Sequence, residues 1–127
     1  MTTWNLSGTK HHVLICNGSS CMRKGGEEVT HAIREEIQKL ELDNQIHTSR
    51  TRCNGRCKDA CVVIAYPEGV WYGVTSPDAG RDIIKNYLLE GTPIKESLIY
   101  MFSDEQMIPS KYAELNEGIR KSEKKVK

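Results

Sequence analysis

Nowhere among its 127 residues does the chain hold an apolar run of bilayer-spanning length. The opening MTTWNLSGTKHH lacks the basic stretch followed by an apolar one that marks an export signal, so a cytoplasmic protein with no membrane insertion is expected. Net charge is nearly absent as well. At +1 there is no global pull toward nucleic acid or an anionic membrane, and any electrostatic specialisation must be local. Also missing is the Cys-x-x-Cys pair of dithiol redox sites. Five cysteines, an odd number, fit permanent disulfide pairing poorly, and in a reducing compartment clustered thiols more often bind metal.

What is present is an ordinary globular composition, 38% hydrophobic and 28% charged, in a chain the size of one domain. A polar leader (1–11) precedes HVLIC (12–16), a short β-branched run that predicts a buried strand ending at Cys16. Residues 17–26 are glycine- and serine-rich and predict a loop. Val29, Ile33, Ile37 and Leu40 then mark one face of a helix whose exposed side is acidic, with Glu27 and Glu28 suited to its first turn. IHTSRT(R) from Ile46 has weak strand character. CVVIAY, Pro-Glu-Gly and VWYGV read as an antiparallel hairpin. Ser76-Pro77-Asp78 opens a second helix with Ala79, Ile83, Ile84, Tyr87 and Leu88 on its apolar face, ended by Gly91. The expected domain is therefore residues 12–91, followed by a C-terminal extension (92–127). In that extension Ser97–Phe102 is an added strand or docking segment, Ser103–Gln106 resembles a capping box opening a short helix, and the charged end is frayed.

The cysteines form two groups, Cys16 with Cys21 and Cys53 with Cys57 and Cys61. A helix of about fifteen residues runs back about 22 Å, and a strand of about seven residues returns nearly the same distance. If the two strands are parallel neighbours, Cys16 and Cys53 end on one edge of the sheet, and Cys21 and Cys57 follow each by a short loop. Four thiolates would converge. A [2Fe-2S] cluster takes four thiolates, two per iron, and is anionic. Arg50, Arg52, Arg56 and Lys58, with no acid among residues 50–58, and Arg23 and Lys24 after Cys21 supply compensating charge. Backbone N–H groups near Gly18, Gly55 and Gly25-Gly26 are candidate donors to sulfur.

A C4 zinc site remains a rival, since C-x4-C and C-x3-C lie within zinc spacing. A structural or interaction module built on zinc, and a cluster assembly or sensing protein, are the alternative functions. Cys61 is the reserve ligand, although a buried small hydrophobe is its simpler reading. His11, His31 and His47 are expected at the surface and His12 half buried, with none placed for a Rieske centre. Of Trp71 and Tyr72, one should fill the core and the other face outward. No aromatics interleave with the basic loop, which argues against a nucleic-acid surface.

C-x4-C, C-x3-C, Tyr66-Pro67 and Trp71-Tyr72 followed by a helix together resemble the thioredoxin-like [2Fe-2S] ferredoxins and the related 24 kDa-type subunit of respiratory NADH dehydrogenase, over about residues 12–90. Within them the chain is similar to the small ferredoxin-like proteins associated with cobalamin biosynthesis in bacilli. The resemblance implies a thioredoxin-like α/β fold, a four-stranded mixed sheet with two main flanking helices, a homodimer, and one [2Fe-2S] cluster per chain on Cys16, Cys21, Cys53 and Cys57. It departs from the family at Cys61, where many relatives carry a small non-ligand residue. The expected function is electron transfer to or from an acidic-surfaced redox protein or enzyme, with no catalysis by the chain itself, because no general base, nucleophile or substrate pocket stands out.

Overall fold

The computed structural model describes residues 1–112 and 115–123. Strand β1 (His11–Cys16) leads through a short helix α1 (Ser19–Arg23) into α2 (Gly26–Lys39) and strand β2 (Ile46–Thr51). The hairpin β3 (Val62–Tyr66) and β4 (Val70–Gly73) follows, then helix α3 from Pro77, and a last hairpin of β5 (Leu98–Ser103) and β6 (Gln106–Pro109). The strands form one sheet in the order β2-β1-β3-β4-β5-β6, parallel only between β1 and β2.

The expected sheet thus gains two strands from the C-terminal extension. Leu98 and Ile99 are buried, which ties β5 to the core edge at β4. The expected helix start at Ser103–Gln106 is instead the two-residue turn of this hairpin. Asp104 (φ 52°) and Glu105 (φ 63°) are both left-handed, the backbone that matches strand twist in a tight hairpin, and Met107 pairs across it with Phe102. The expected fraying of the charged end concerns Glu123–Lys127; Glu123 closes a short 3-10 turn (Lys121–Glu123), and Lys124–Lys127 lie outside the described residues.

Helix α2 buries Val29, Ile33 and Ile37. Helix α3 is capped by Ser76, whose hydroxyl accepts from the Ala79 N–H at 3.1 Å. The two helices pack together where Gly80 presents no side chain; a Cβ there would lie 3.1 Å from Ile33. From Ile83 to Leu89 the helix widens to π geometry, where the sequence pattern predicts a plain α-helix. The wider turn lets adjacent Ile83 and Ile84 both bury, while the Tyr87 ring meets Tyr72 edge-on at 5.7 Å. Tyr72 is the core-filling member of the Trp71-Tyr72 pair, and its hydroxyl accepts from the Ile94 N–H at 3.4 Å; Trp71 is half-buried. No helix among the described residues is long and apolar enough to cross a membrane.

Candidate metal centre

The parallel register sets Cys16 beside Thr51, so the loops that leave β1 and β2 start from one edge of the sheet. His11, His12 and His47 sit toward the other end of these strands, and His31 lies exposed on α2. His12 donates to or accepts from Ser49 at 2.8 Å, and His11, expected at the surface, is half-buried against Glu68 at 2.8 Å.

In the first loop Cys16 is buried and its thiol donates to the Arg52 carbonyl at 3.5 Å. Residues 19–23, expected as loop, wind into a helical turn closed by the Met22 N–H on the Gly18 carbonyl at 2.9 Å, which carries Cys21 inward to a buried position. In the second loop Cys53 and Cys57 are both exposed, their sulfurs 3.4 Å apart, and a short 3-10 turn spans Cys57–Asp59.

The Cys-Asn-Gly triplets at 16–18 and 53–55 perform the same local task. Asn17 Nδ2 donates to the Ile15 carbonyl and to Thr30 Oγ1, both at 3.3 Å; Asn54 Nδ2 donates to the Arg52 carbonyl at 3.2 Å and to Thr51 Oγ1 at 2.7 Å. Each asparagine thus reaches back two residues and anchors on a threonine. Each glycine turns its amide toward the preceding cysteine: the Gly55 N–H donates to Cys53 Sγ at 3.3 Å, and Gly18 to the Cys16 sulfur. Gly55 adopts φ +83°, which glycine permits at no cost. The two asparagines are site residues that sequence reasoning does not single out, and the Cys-Asn-Gly echo at 16–18 and 53–55 is the signal that marks them.

Gly18 also sets how near the loops approach. A Cβ built on it would lie 2.8 Å from the Cys53 nitrogen and 2.9 Å from its Cα, so only glycine lets the two turns touch. Between them lies a cavity of about 200 Å³ lined by Cys16, Cys21, Cys53 and Cys57 together with Asn54 and Arg56. Among the described residues no three His, Cys, Asp or Glu side chains are grouped around a single ion. All four cysteines line this one space, which suits a multi-atom centre with two thiolates from each loop. Cys61 is fully buried outside this cavity, with its thiol directed at the Cys16 and Cys21 carbonyls at 3.7 and 3.9 Å.

Burial favours the protonated form of each inner thiol. It pushes Cys21 up to about 12 and raises Cys61. At Cys16 burial acts in the same sense but is outweighed by hydrogen bonds from Gly18, Cys21 and Asn54, leaving that thiol below its ordinary value. Metal takes thiolates, so filling the site expels protons, and Cys16 is the inner thiol readiest to ionise. The basic loop is less free than its composition indicates. Arg50 pairs with Glu27 at 2.7 Å, and Arg56 pairs with Asp59, an acid just beyond the 50–58 span. Arg52 and Lys58 stay exposed, as do Arg23 and Lys24 on the first loop, and none of these four joins an ion pair among the described residues. Nor does Gly25 serve a sulfur, since its N–H donates to the Met22 carbonyl.

A mixed sheet with helices on it and a four-thiol cavity at the ends of its parallel strands defines an iron-sulfur protein of thioredoxin-like architecture. The model of the thioredoxin-like [2Fe-2S] ferredoxin family matches residues 4–88. A thioredoxin-like [2Fe-2S] ferredoxin from Aquifex aeolicus superposes with a TM-score of 0.68 at 28% identity, over 79% of this chain and 99% of its own. A 2Fe-2S ferredoxin from Clostridium pasteurianum is 31% identical over 94 residues, 68% of this chain and 92% of that one. A candidate 2Fe-2S ferredoxin from Priestia megaterium is 54% identical over 121 residues, 95% of this chain and 94% of that one. The chain belongs to the thioredoxin-like [2Fe-2S] ferredoxin family, and its cofactor is one [2Fe-2S] cluster, which sets aside the zinc alternative.

Proposed function

We propose that the protein carries single electrons to and from a redox enzyme, holding its cluster through Cys16, Cys21, Cys53 and Cys57. The observation that supports this ligand set is the shared cavity, which has these four cysteines in its wall and Cys61 outside it. When bound, the cluster supplies reversible one-electron chemistry. The residues around it divide the labour. Cys16 and Cys21 fix the centre to the core, and the exposed Cys53 and Cys57 present it to solvent, the side a partner can reach. Amides of Gly18 and Gly55 point at sulfur and favour the anionic state there. Outer-sphere transfer of this kind asks for no general base or nucleophile.

Arg23, Lys24, Arg52 and Lys58 give the two loops a cationic rim, so the partner surface should be acidic. A relative in Solidesulfovibrio fructosivorans, 30% identical over 83 residues and matched over 47% of its length, is a subunit of an NADP-reducing hydrogenase, which supports a redox enzyme as partner. The resemblance to cobalamin-associated proteins of bacilli supports a place in that pathway, the wider family resemblance supports a homodimer, and a cytoplasmic site is proposed with them.

Anaerobically purified protein is expected to be brown, with about two irons and two sulfides per chain. Colourless protein with stoichiometric zinc would refute the assignment. Its association rate with an electron-transfer partner should fall about tenfold from low to high ionic strength, and stopped-flow mixing over a salt series checks this. A flat salt profile would remove the acidic-partner proposal while leaving the cluster untouched.

A further inference from the structure

Everything after residue 88 lies beyond the span matched by the family model, yet part of it reaches back to the exposed half of the metal centre. Asn116 Nδ2 donates to Asp59 Oδ1 at 2.7 Å and to the Lys58 carbonyl at 3.2 Å. The Asn116 carbonyl accepts from Arg56 Nη2 at 2.8 Å. Arg56 in turn donates from Nε to Asp59 Oδ2 at 2.7 Å, and its guanidinium lies 5.3 Å from the centre of the Tyr100 ring on β5. Every one of these bonds ends on a residue beside or near Cys57, which stands between Arg56 and Lys58.

The loop has need of such a tie. Cys16 and Cys21 are held by the core, whereas Cys53 and Cys57 are exposed on a segment whose only regular element is the 3-10 turn Cys57–Asp59. The Arg56 and Asp59 side chains are only 14% and 10% exposed, so their own ion pair is partly shielded from water, and Asn116 ties that pair down from the surface side. A contact spanning more than fifty residues adds to this loop a restraint that its own sequence cannot supply.

We propose that the C-terminal segment is a clasp on the second ligand loop, with Asn116 a positioning residue that holds Cys57 in place and so sets how long the cluster is retained. The link to cluster retention rests on the ligand set proposed above; the restraint on the loop does not. Without the Asn116 side chain, Asp59 and the Lys58 carbonyl lose their donor and only the bond from Arg56 to the residue-116 carbonyl remains, so the loop opens more often and Cys57 meets solvent more often.

The test compares Asn116→Ala with the unaltered protein in two ways. In the cluster-loaded chain, an iron chelator should bleach the variant about tenfold faster, the scale expected for losing a pair of side-chain hydrogen bonds. In the cluster-free chain, iodoacetamide followed by peptide mapping should alkylate Cys57 about tenfold faster, while Cys16 reacts at its original rate. The reciprocal double variant Asp59→Asn/Asn116→Asp restores a donor-acceptor pair and should recover part of both effects. An unchanged Cys57 rate overturns the clasp. So does an equal rise at Cys16 and Cys57, which would mean general loosening. Faster alkylation of Cys57 together with unchanged bleaching would uphold the clasp on the loop, refute its part in retention, and count against Cys57 as a ligand.

Discussion

Replacing Cys16, Cys21, Cys53 or Cys57 singly by serine is expected to lower cluster retention by about a hundredfold or more, or to shift its visible absorption, because a hydroxyl is a far poorer iron ligand than a thiolate. Cys61→Ser should keep the parent spectrum. Its thiol lies outside the cavity wall and faces two carbonyls, and a serine hydroxyl can still donate to the Cys16 and Cys21 carbonyls. Iron content and the visible absorption of five purified variants settle the matter. A colourless Cys61→Ser protein that remains folded by far-UV circular dichroism would place Cys61 among the ligands. A brown Cys57→Ser protein with its spectrum intact would remove Cys57 from them.

The second large effect is expected at Gly18, from a single added methyl. Its backbone (φ −66°) suits any residue, so Gly18→Ala carries no conformational penalty of its own. The new Cβ would nevertheless sit within 3.0 Å of three atoms of Cys53, two of them main chain, which cannot swing aside. The loops must separate, and the reconstituted iron content should fall about tenfold or more while helix content stays the same, an effect comparable to losing an outer partner of a metal site. Gly55→Ala makes the contrast. No atom lies within 4 Å of a Cβ there, but φ is +83°, so the variant should lose about 1 kcal/mol of stability and keep most of its iron. Equal iron content in Gly18→Ala and the parent protein would show that the loops need not touch.

Much of this site could be read from the sequence because it depends on periodicity and chain reversal. The apolar run ending at Cys16, the helical spacing of Val29, Ile33 and Ile37, and the strand from Ile46 together dictate that the two thiol groups share an edge. What stayed hidden depends on contacts between residues far apart in sequence. Arg56 reads as a free cation because its acid, Asp59, lies just past the run of basic residues and its other partners are Tyr100 and Asn116. Ser103–Gln106 carries the letters of a helix cap, and only the pairing of Met107 with Phe102 reveals it as a hairpin turn. The winding of residues 19–23 likewise follows from the need to bury Cys21 and not from any helical periodicity in Ser-Ser-Cys-Met-Arg.

The side-by-side register of β1 and β2 has a consequence for biosynthesis. A nascent chain emerges N-terminus first, and while only Cys16 and Cys21 have left the ribosome there is half a nest and nothing to complete it. If Cys53 and Cys57 complete the ligand set as proposed, iron delivery waits until the segment through Cys57 is clear of the exit tunnel and has docked beside its neighbour. On the ligand set proposed above, capture of the metal then acts as a check on the pairing of β1 with β2, and a polypeptide stalled or cleaved before Cys53 lacks two of its four ligands.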